Sequence, residues 1–259
     1  MGIVIMSLIA GTVGTGLGGL FTAVSNVRTD KATSIFLSFA GGVMTSIVFF
    51  ELIPDALEHS GVAVLIVGLV CGIVLVLLLN FLIDIFSSKK HRPTQPHETL
   101  AEFYHEPPTN RLTKPLIRSG MLMFFVIGLH NIPEGLAIGA AGGHDVHLGY
   151  TLALMIGLHN VPEGIAISAP LIAGGYNKWK AIVLTLIAGA STVIGTLIGV
   201  LSAGTSEIAF AFSFSIAGGA MLYVVFGEII PQSLSLRNDR IPTVVLLVGI
   251  VIGFLLTKI

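Results

Sequence analysis

Two nearly identical motifs place the same ionisable and amide side chains in two long apolar segments. Residues 127–135 read IGLHNIPEG, and residues 156–164 read IGLHNVPEG. Each motif holds a histidine and a glutamate four residues apart, so the two side chains share one face of a helix. Ionisable residues inside apolar segments are costly in a bilayer and mark functional sites. The repetition therefore predicts one site built from two helices.

The side chains of these motifs suit a divalent transition metal, because imidazole, carboxylate and amide groups together favour ions such as Zn²⁺, Fe²⁺ or Mn²⁺. Two further glutamates, Glu51 and Glu228, lie in other apolar segments, each three residues before a proline. No lysine or arginine lies deep in an apolar segment to pair with the four acids. Either some of these acids are protonated, or a bound cation supplies the missing charge. The set favours a divalent cation site, with room for two ions.

Other roles are open for several of these residues. Asn131 and Asn160 could instead form hydrogen bonds between helices, and Glu51 and Glu228 could serve at a helix terminus or a gate. Met44, which recurs at Met221 in a longer repeat, is better explained by packing than by thioether ligation.

Composition indicates an integral membrane protein made of helices. Of the 259 residues, 54% are hydrophobic and 10% are charged, against about 25% charged in a soluble domain. The apolar runs are long and continuous, which favours helices over the alternating strands of a β-barrel. The single cysteine, Cys71, excludes an internal disulfide framework and a multi-cysteine metal cluster. We expect eight transmembrane spans, at about 3–25, 33–57, 61–86, 116–141, 147–172, 179–203, 207–235 and 241–258.

Basic residues are confined to one set of the loops that eight spans define. All of the 13 lysines and arginines except Lys258 fall in that set, which the positive-inside rule assigns to the cytoplasm. Both termini would then lie outside. The residues 1–259 would form a single transmembrane transport domain, in which 87–115 is a flexible cytoplasmic loop. The loop carries three histidines that are either ordinary loop residues or a weak metal-binding group: His91, His97 and His105.

Two internal repeats predict an inverted architecture. Residues 125–140 match 154–169 at 11 of 16 positions, and residues 41–54 match 218–231 at 8 of 14 positions. In each pair the two spans run in opposite directions, so spans 1–3 and 6–8 would be related by a pseudo-two-fold axis, with spans 4 and 5 at its centre. Inverted repeats with midplane sites recur in transporters. We interpret spans 4 and 5, together with 2 and 7, as the part that moves the site past the remaining helices.

The segments HNIPEG at 130–135 and HNVPEG at 159–164 resemble the paired signatures of helices four and five in the ZIP (Zrt/Irt-like) metal transporters, most closely the prokaryotic, broad-specificity type. The eight spans, the outward termini and the glutamates on spans 2 and 7 also fit. The resemblance implies uptake of Zn²⁺ and related divalent metals toward the cytoplasm through a binuclear site. The metal would be cargo rather than a cofactor. Carried over by motif, the metal ligands would be His130, Asn131, Glu134, His159, Asn160, Glu163 and Glu228, with Glu51 and Met44 as further candidates.

Two rival functions differ from metal transport in specific ways. An intramembrane zinc hydrolase would need a His-Glu-x-x-His signature, which this sequence lacks, so we do not expect an enzyme. A proton or monovalent-cation carrier could use the buried glutamates but has no obvious use for paired His-Asn-Glu sets.

The expected partners are divalent metal ions and the lipid bilayer of a cell membrane, without nucleic acid. A homodimer is one explanation for a glycine-rich first span, and close packing within one bundle explains it equally well. The glycines concerned are Gly11, Gly14, Gly16, Gly18 and Gly19.

Overall fold

The computed structural model describes residues 1–25, 27, 29–87, 113–201 and 207–257, which form eight long helices and no strand. Seven of them are long and apolar enough to cross a membrane, and the eighth is a shorter apolar helix. This confirms the predicted all-α, polytopic membrane fold. The helices are α1 (Gly2–Val24), α2 (Asp30–His59), α3 (Val62–Ser87), α4 (Thr113–His144), α5 (Val146–Ala173), α6 (Lys178–Leu201), α7 (207–236) and α8 (Ile241–Leu256).

The predicted loop 87–115 falls largely beyond the part of the chain that the structure describes. Ser87 ends α3, and residues 113–115 already belong to α4. The rest of that loop, with His91, His97 and His105, lies outside the described residues.

Side-chain caps fix the beginnings of several helices. Thr29 accepts a hydrogen bond at the start of α2, and Asp145 and Asn177 do the same for α5 and α6. Each satisfies backbone N–H groups that have no partner within the first turn of the helix. At the start of α8, Asp239 accepts a hydrogen bond from the backbone N–H of Ile241, and this bond and the nearby guanidinium of Arg237 lower the pKa of its carboxyl.

The eight helices pack in two groups of four. Group A consists of α1, α4, α5 and α6, in which α1 packs on α5 and α6, and α4 packs on the same two helices. Group B consists of α2, α3, α7 and α8, in which α2 packs on α8 and α3 packs on α7. The main contacts between the groups are α2 with α5 and α4 with α7. The packing therefore differs from our sequence interpretation, which joined spans 4 and 5 to spans 2 and 7.

Glycines set the close approach of helices inside group A, and their positions follow the inverted repeat. A Cβ on Gly18 would collide with the carbonyl of Val161, and a Cβ on Gly195 would collide with the carbonyl of Ile132. Gly195 follows Gly18 by 177 residues, and Val161 follows Ile132 by 29, the spacing of the two motifs. The α1–α5 contact is thus repeated as the α6–α4 contact, residue for residue.

The same spacing recurs in group B. A Cβ on Gly42 would collide with the carbonyl of Leu246, and a Cβ on Gly219 would collide with the carbonyl of Leu69. Gly219 follows Gly42 by 177 residues, and Leu246 follows Leu69 by 177. The α2–α8 contact is therefore repeated as the α7–α3 contact. Small residues allow such close backbone approach where lipid gives no hydrophobic drive to association.

The glycines of the first helix are used within the chain. Gly11 faces Gly189 of α6, Gly14 faces Gly157 of α5, and the other three contact the same two helices. Close packing inside one bundle therefore accounts for them, and a homodimer stays a prediction without support from this helix.

A widened turn interrupts both α2 and α7 at the predicted Glu-x-x-Pro positions. Residues Val48–Leu52 and Val225–Ile229 form π-helical turns, each containing one of the glutamates Glu51 and Glu228. Proline lacks an N–H, so the carbonyl four residues before it loses its α-helical partner, and the helix widens there. Such single π turns occur often at functional sites.

Candidate metal site

Three ligand-type side chains converge where α4 and α5 cross. Nε2 of His130 lies 3.3 Å from Oε1 of Glu134 and 3.6 Å from Oε1 of Glu163. All three side chains are buried. In a tetrahedral site with metal–ligand bonds of about 2.0–2.2 Å, two ligands of one ion lie about 3.3–3.6 Å apart. The spacing of these three groups therefore suits a shared divalent ion.

The second oxygens of the two carboxylates face a different ligand. With the amide of Asn160 turned to satisfy its neighbours, its nitrogen donates to Oε2 of Glu134 at 3.3 Å and to Oε2 of Glu163 at 3.1 Å. Rotating that amide by half a turn would present its oxygen to the same space. Glu134 and Glu163 thus bridge two positions, one beside His130 and one beside Asn160, which is an arrangement able to hold two cations.

The second motif histidine is turned toward group B. Nε2 of His159 lies 3.4 Å from Oε2 of Glu51 on α2, and the side chain of Glu51 is 18% exposed. His130 faces Glu134 and Glu163, which lie on α4 and α5 themselves, so the two motif histidines have different partners. The pair of His159 and Glu51 spans the boundary between the two helix groups.

Several polar atoms of this cluster are buried without a hydrogen-bond partner among the described residues. They include Nε2 of both motif histidines, Oε2 of Glu51 and Oε1 of Glu163. Leaving a buried polar atom unpaired costs about 1–3 kcal/mol each. Because neutral imidazole nitrogens and carboxylate oxygens are metal ligands, a cation between His130, Glu134 and Glu163 would satisfy Nε2 of His130 and Oε1 of Glu163.

Asn131 has a different role from Asn160, although the two occupy the same place in the repeated motif. Its Nδ2 donates to the backbone carbonyl of Ala188 on α6 at 3.1 Å, while its Oδ1 has no hydrogen-bond partner in the described part of the chain. This is the hydrogen bond between helices that we weighed as an alternative. Met44 and Met221 are fully buried in the apolar core, which suits packing and leaves ligation by Met44 a prediction.

Glu228 lies in a polar group that sequence reasoning missed. Its Oε1 accepts from Nδ2 of Asn80 on α3 at 3.4 Å, and Oδ1 of Asn80 accepts from the guanidinium of Arg118 on α4 at 2.9 Å. The guanidinium of Arg118 is thus linked to Glu228 through the Asn80 amide, a connection that our sequence analysis did not anticipate. The signal was available, since Asn80 is a lone amide in the apolar run LVLLLNFLI at 75–83.

Known proteins similar to this chain are zinc transporters. A family model described as ZIP Zinc transporter matches residues 109–259. Zinc transporter ZupT of Chlorobium chlorochromatii is 32% identical over 88% of this chain and 86% of its own length. The ZupT protein of Akkermansia muciniphila is 32% identical over 95% and 91%, and zinc transporter GufA of Myxococcus xanthus is 32% identical over 97% and 96%.

The match covers the helices that carry the site as well as those that surround it. The doubled motif on α4 and α5 lies within the residues that the family model matches, and the relatives align with nearly the whole chain. The resemblance drawn from the two motifs is thereby confirmed, and the chain belongs to the ZIP zinc transporter family.

Proposed function

We propose that this chain transports divalent metal cations across a membrane, with Zn²⁺ as a cargo, through the cluster of His130, Glu134, Glu163, His159 and Asn160. The observation that carries the proposal is the pair of buried carboxylates, Glu134 and Glu163, that face an imidazole on one side and an amide on the other. Membership of a family whose relatives are named zinc transporters supports the same cargo.

The ligand set favours other divalent transition metals beside Zn²⁺. Imidazole and carboxylate ligands without thiolate suit Fe²⁺ and Mn²⁺ as well, and affinity among these ions follows the metal more than the site. We therefore propose a broad cargo range and a binuclear site, in which Glu51 and Glu228 are outer ligands.

Alternating access is supported by how the two helix groups divide the site. The ligands on α4 and α5 belong to group A, whereas Glu51 and Glu228 belong to group B. Movement of group A along group B would carry the cluster past these two glutamates, and the inverted repeat makes two such positions nearly equivalent. We propose inward transport across a cell membrane, with both termini outside.

Uptake of radiolabelled Zn²⁺ into proteoliposomes tests this function. The native protein should accumulate Zn²⁺, the folded variant His130→Ala/His159→Ala should not, and His147→Ala, which changes an exposed histidine, should match the native protein. Competition by Fe²⁺ and Mn²⁺ would then measure the cargo range. If the well-folded native protein took up no Zn²⁺, metal transport would be refuted, and function as a proton or monovalent-cation carrier would be favoured.

A further inference from the structure

The hydrogen bonds from Arg118 to Asn80 and from Asn80 to Glu228 connect the two helix groups. Arg118 lies on α4 in group A, whereas Asn80 and Glu228 lie on α3 and α7 in group B. Asn80 is 9% exposed, so its amide is held among protein groups rather than in bulk solvent. Glu228, a candidate metal ligand in group B, is thus linked through the Asn80 amide to the guanidinium of Arg118 in group A.

Asn80 and Glu228 belong to one tightly joined pair of helices. A Cβ on Gly72 of α3 would collide with the carbonyl of Ile216 on α7, and a Cβ on Gly68 would collide with Ser215. Backbones this close hold α3 and α7 in a fixed register, because sliding would drive side chains into the opposing backbone.

The contact of α4 with α3 and α7 is of another kind. Among the described glycines, those of α4 that approach another backbone closely do so toward α5 or α6, as Gly120 and Gly135 illustrate. At the boundary between α4 and the pair α3 and α7, the described glycines thus provide no backbone interlock of this kind. The Arg118–Asn80 hydrogen bond crosses that boundary.

We propose that Asn80 and Arg118 are positioning residues for transport. Together they form a latch, which holds group A against group B. The latch keeps the positive charge of Arg118 near Glu228 until a divalent cation binds that carboxylate. This inference rests on the proposed function. The latch belongs to one conformation, since a hydrogen bond of 2.9 Å is lost on a displacement of about 1 Å or more.

Binding of a divalent cation at Glu228 would weaken the latch. The carboxylate of Glu228 orients the Asn80 amide, whose oxygen then accepts from the guanidinium. A divalent cation reaching Glu228 would draw its oxygens into coordination and repel the positive charge of Arg118. Loss of the amide's anchor and repulsion of the guanidinium both weaken the link between the groups, so arrival of cargo would favour their relative movement.

A cross-linking experiment tests whether the latch must open. In a Cys71→Ser background, Asn80→Cys/Arg118→Cys is joined with a bis-methanethiosulfonate, which forms a reducible disulfide with each cysteine and whose short spacer replaces the lost side-chain length. We expect the cross-link to abolish Zn²⁺ uptake into proteoliposomes and reductant to restore it to the level of the unreacted variant. Undiminished uptake after complete cross-linking would overturn the proposal.

The matched control joins two helices of group B. The hydroxyls of Ser38 on α2 and Ser233 on α7 lie 2.6 Å apart, so Ser38→Cys/Ser233→Cys can form a disulfide in nearly native geometry. We expect uptake by the oxidised and reduced forms of this variant to be equal. If this disulfide also stopped transport, blockage would not be specific to the boundary between the groups, and the proposal would fail.

Kinetics of Arg118 variants provide a second measurement. Without a guanidinium competing for Glu228, Arg118→Gln should lower the KM for Zn²⁺ by roughly threefold or more, whereas Arg118→Lys, which keeps the charge, should stay near the native KM. A structural defect alone would lower Vmax and leave KM unchanged, which would overturn the proposal. Absence of uptake by the native protein in the same vesicles would remove the proposed function and this inference with it.

Discussion

Glu134 and Glu163 are the residues on which the proposed binuclear site depends most directly. Glu163 is wholly buried, its Oε1 faces His130 and its Oε2 faces Asn160, so its charge would serve both ion positions. Glu163→Gln keeps the shape and removes the charge. We expect uptake at limiting Zn²⁺ to fall roughly tenfold or more, since even groups that only support ligands contribute about 10–100-fold to metal affinity.

The control for this prediction is Glu58→Gln, which neutralises an exposed glutamate near the end of α2 and should leave uptake unchanged. Folding of both variants is compared by their thermal unfolding in detergent. Native uptake by a well-folded Glu163→Gln protein would contradict the bridging role.

Protons should compete with the metal for the same site. His130 and His159 bind a cation only as neutral imidazoles, and the glutamates that face them, Glu134, Glu163 and Glu51, bind only when ionised. Lowering the pH at constant free Zn²⁺ from about 7.5 to about 5.5 should therefore reduce uptake. His147→Ala should keep this dependence, and a flat profile for the native protein would argue against histidine ligation.

The repeated motif predicted which residues share a helix face, but it did not predict that Asn131 and Asn160 have different partners. Its i, i+4 spacing predicted that each His-Glu pair shares a helix face, and the structure places His130 and Glu134 3.3 Å apart. The motif gave Asn131 and Asn160 the same expectation, yet only Asn160 lies against the carboxylates. The difference arises from α6, whose Ala188 carbonyl takes the Asn131 amide, and such a tertiary partner is not encoded in the motif itself.

At the scale of the helix, the π turns of α2 and α7 decide where Glu51 and Glu228 point. A π turn accommodates one residue more than an α turn, so restoring regular helix would rotate the flanking side chains by about 100° relative to one another. The sequence places a proline three residues after each of these glutamates, Pro54 and Pro231, and proline removes one helical hydrogen bond. The sequence could not predict a widening rather than a break, because that depends on how neighbouring helices hold both halves in line.

Replacing Pro54 or Pro231 by alanine should therefore impair transport without unfolding the protein. Either change restores a backbone N–H to the carbonyl four residues earlier, which favours a regular α turn and moves the adjacent glutamate away from its partner. We expect lower Zn²⁺ uptake with unchanged thermal stability. Pro242→Ala, in the first turn of α8 where no helical hydrogen bond is missing, should behave like the native protein; equal uptake by all three variants would refute a role for the π turns.

For the whole molecule, the sequence predicted the helix count and the inverted repeat but not the grouping of the helices. Sequence similarity relates α2 to α7 and α4 to α5, and we had joined these four. The grouping follows instead from which glycines meet which carbonyls, as Gly18 meets Val161 and Gly42 meets Leu246. Glycines occur on nearly every helix, so their presence in the sequence does not reveal their partners.

The orientation in the membrane is the prediction that concerns the molecule as a whole. Since all lysines and arginines except Lys258 fall in one set of loops or at the helix ends that adjoin them, the α2–α3 and α4–α5 turns should face outward and the α7–α8 turn should face the cytoplasm. Gly61 lies in the first of these turns and Gly143 at the end of α4 beside the second, both with open space where a Cβ would stand, and Asn238 is exposed in the third. These positions can therefore take cysteine in a Cys71→Ser background without disturbing the packing.

In intact cells, a membrane-impermeant maleimide should label Gly61→Cys and Gly143→Cys, and should label Asn238→Cys only after permeabilisation. Retained Zn²⁺ uptake by each variant provides the control for folding. The opposite pattern would reverse the topology and, with it, the side on which the Arg118–Asn80 latch closes. Labelling of all three positions from outside would contradict an arrangement in which consecutive helices cross the membrane in alternating directions, and with it the symmetry that relates α4 to α5.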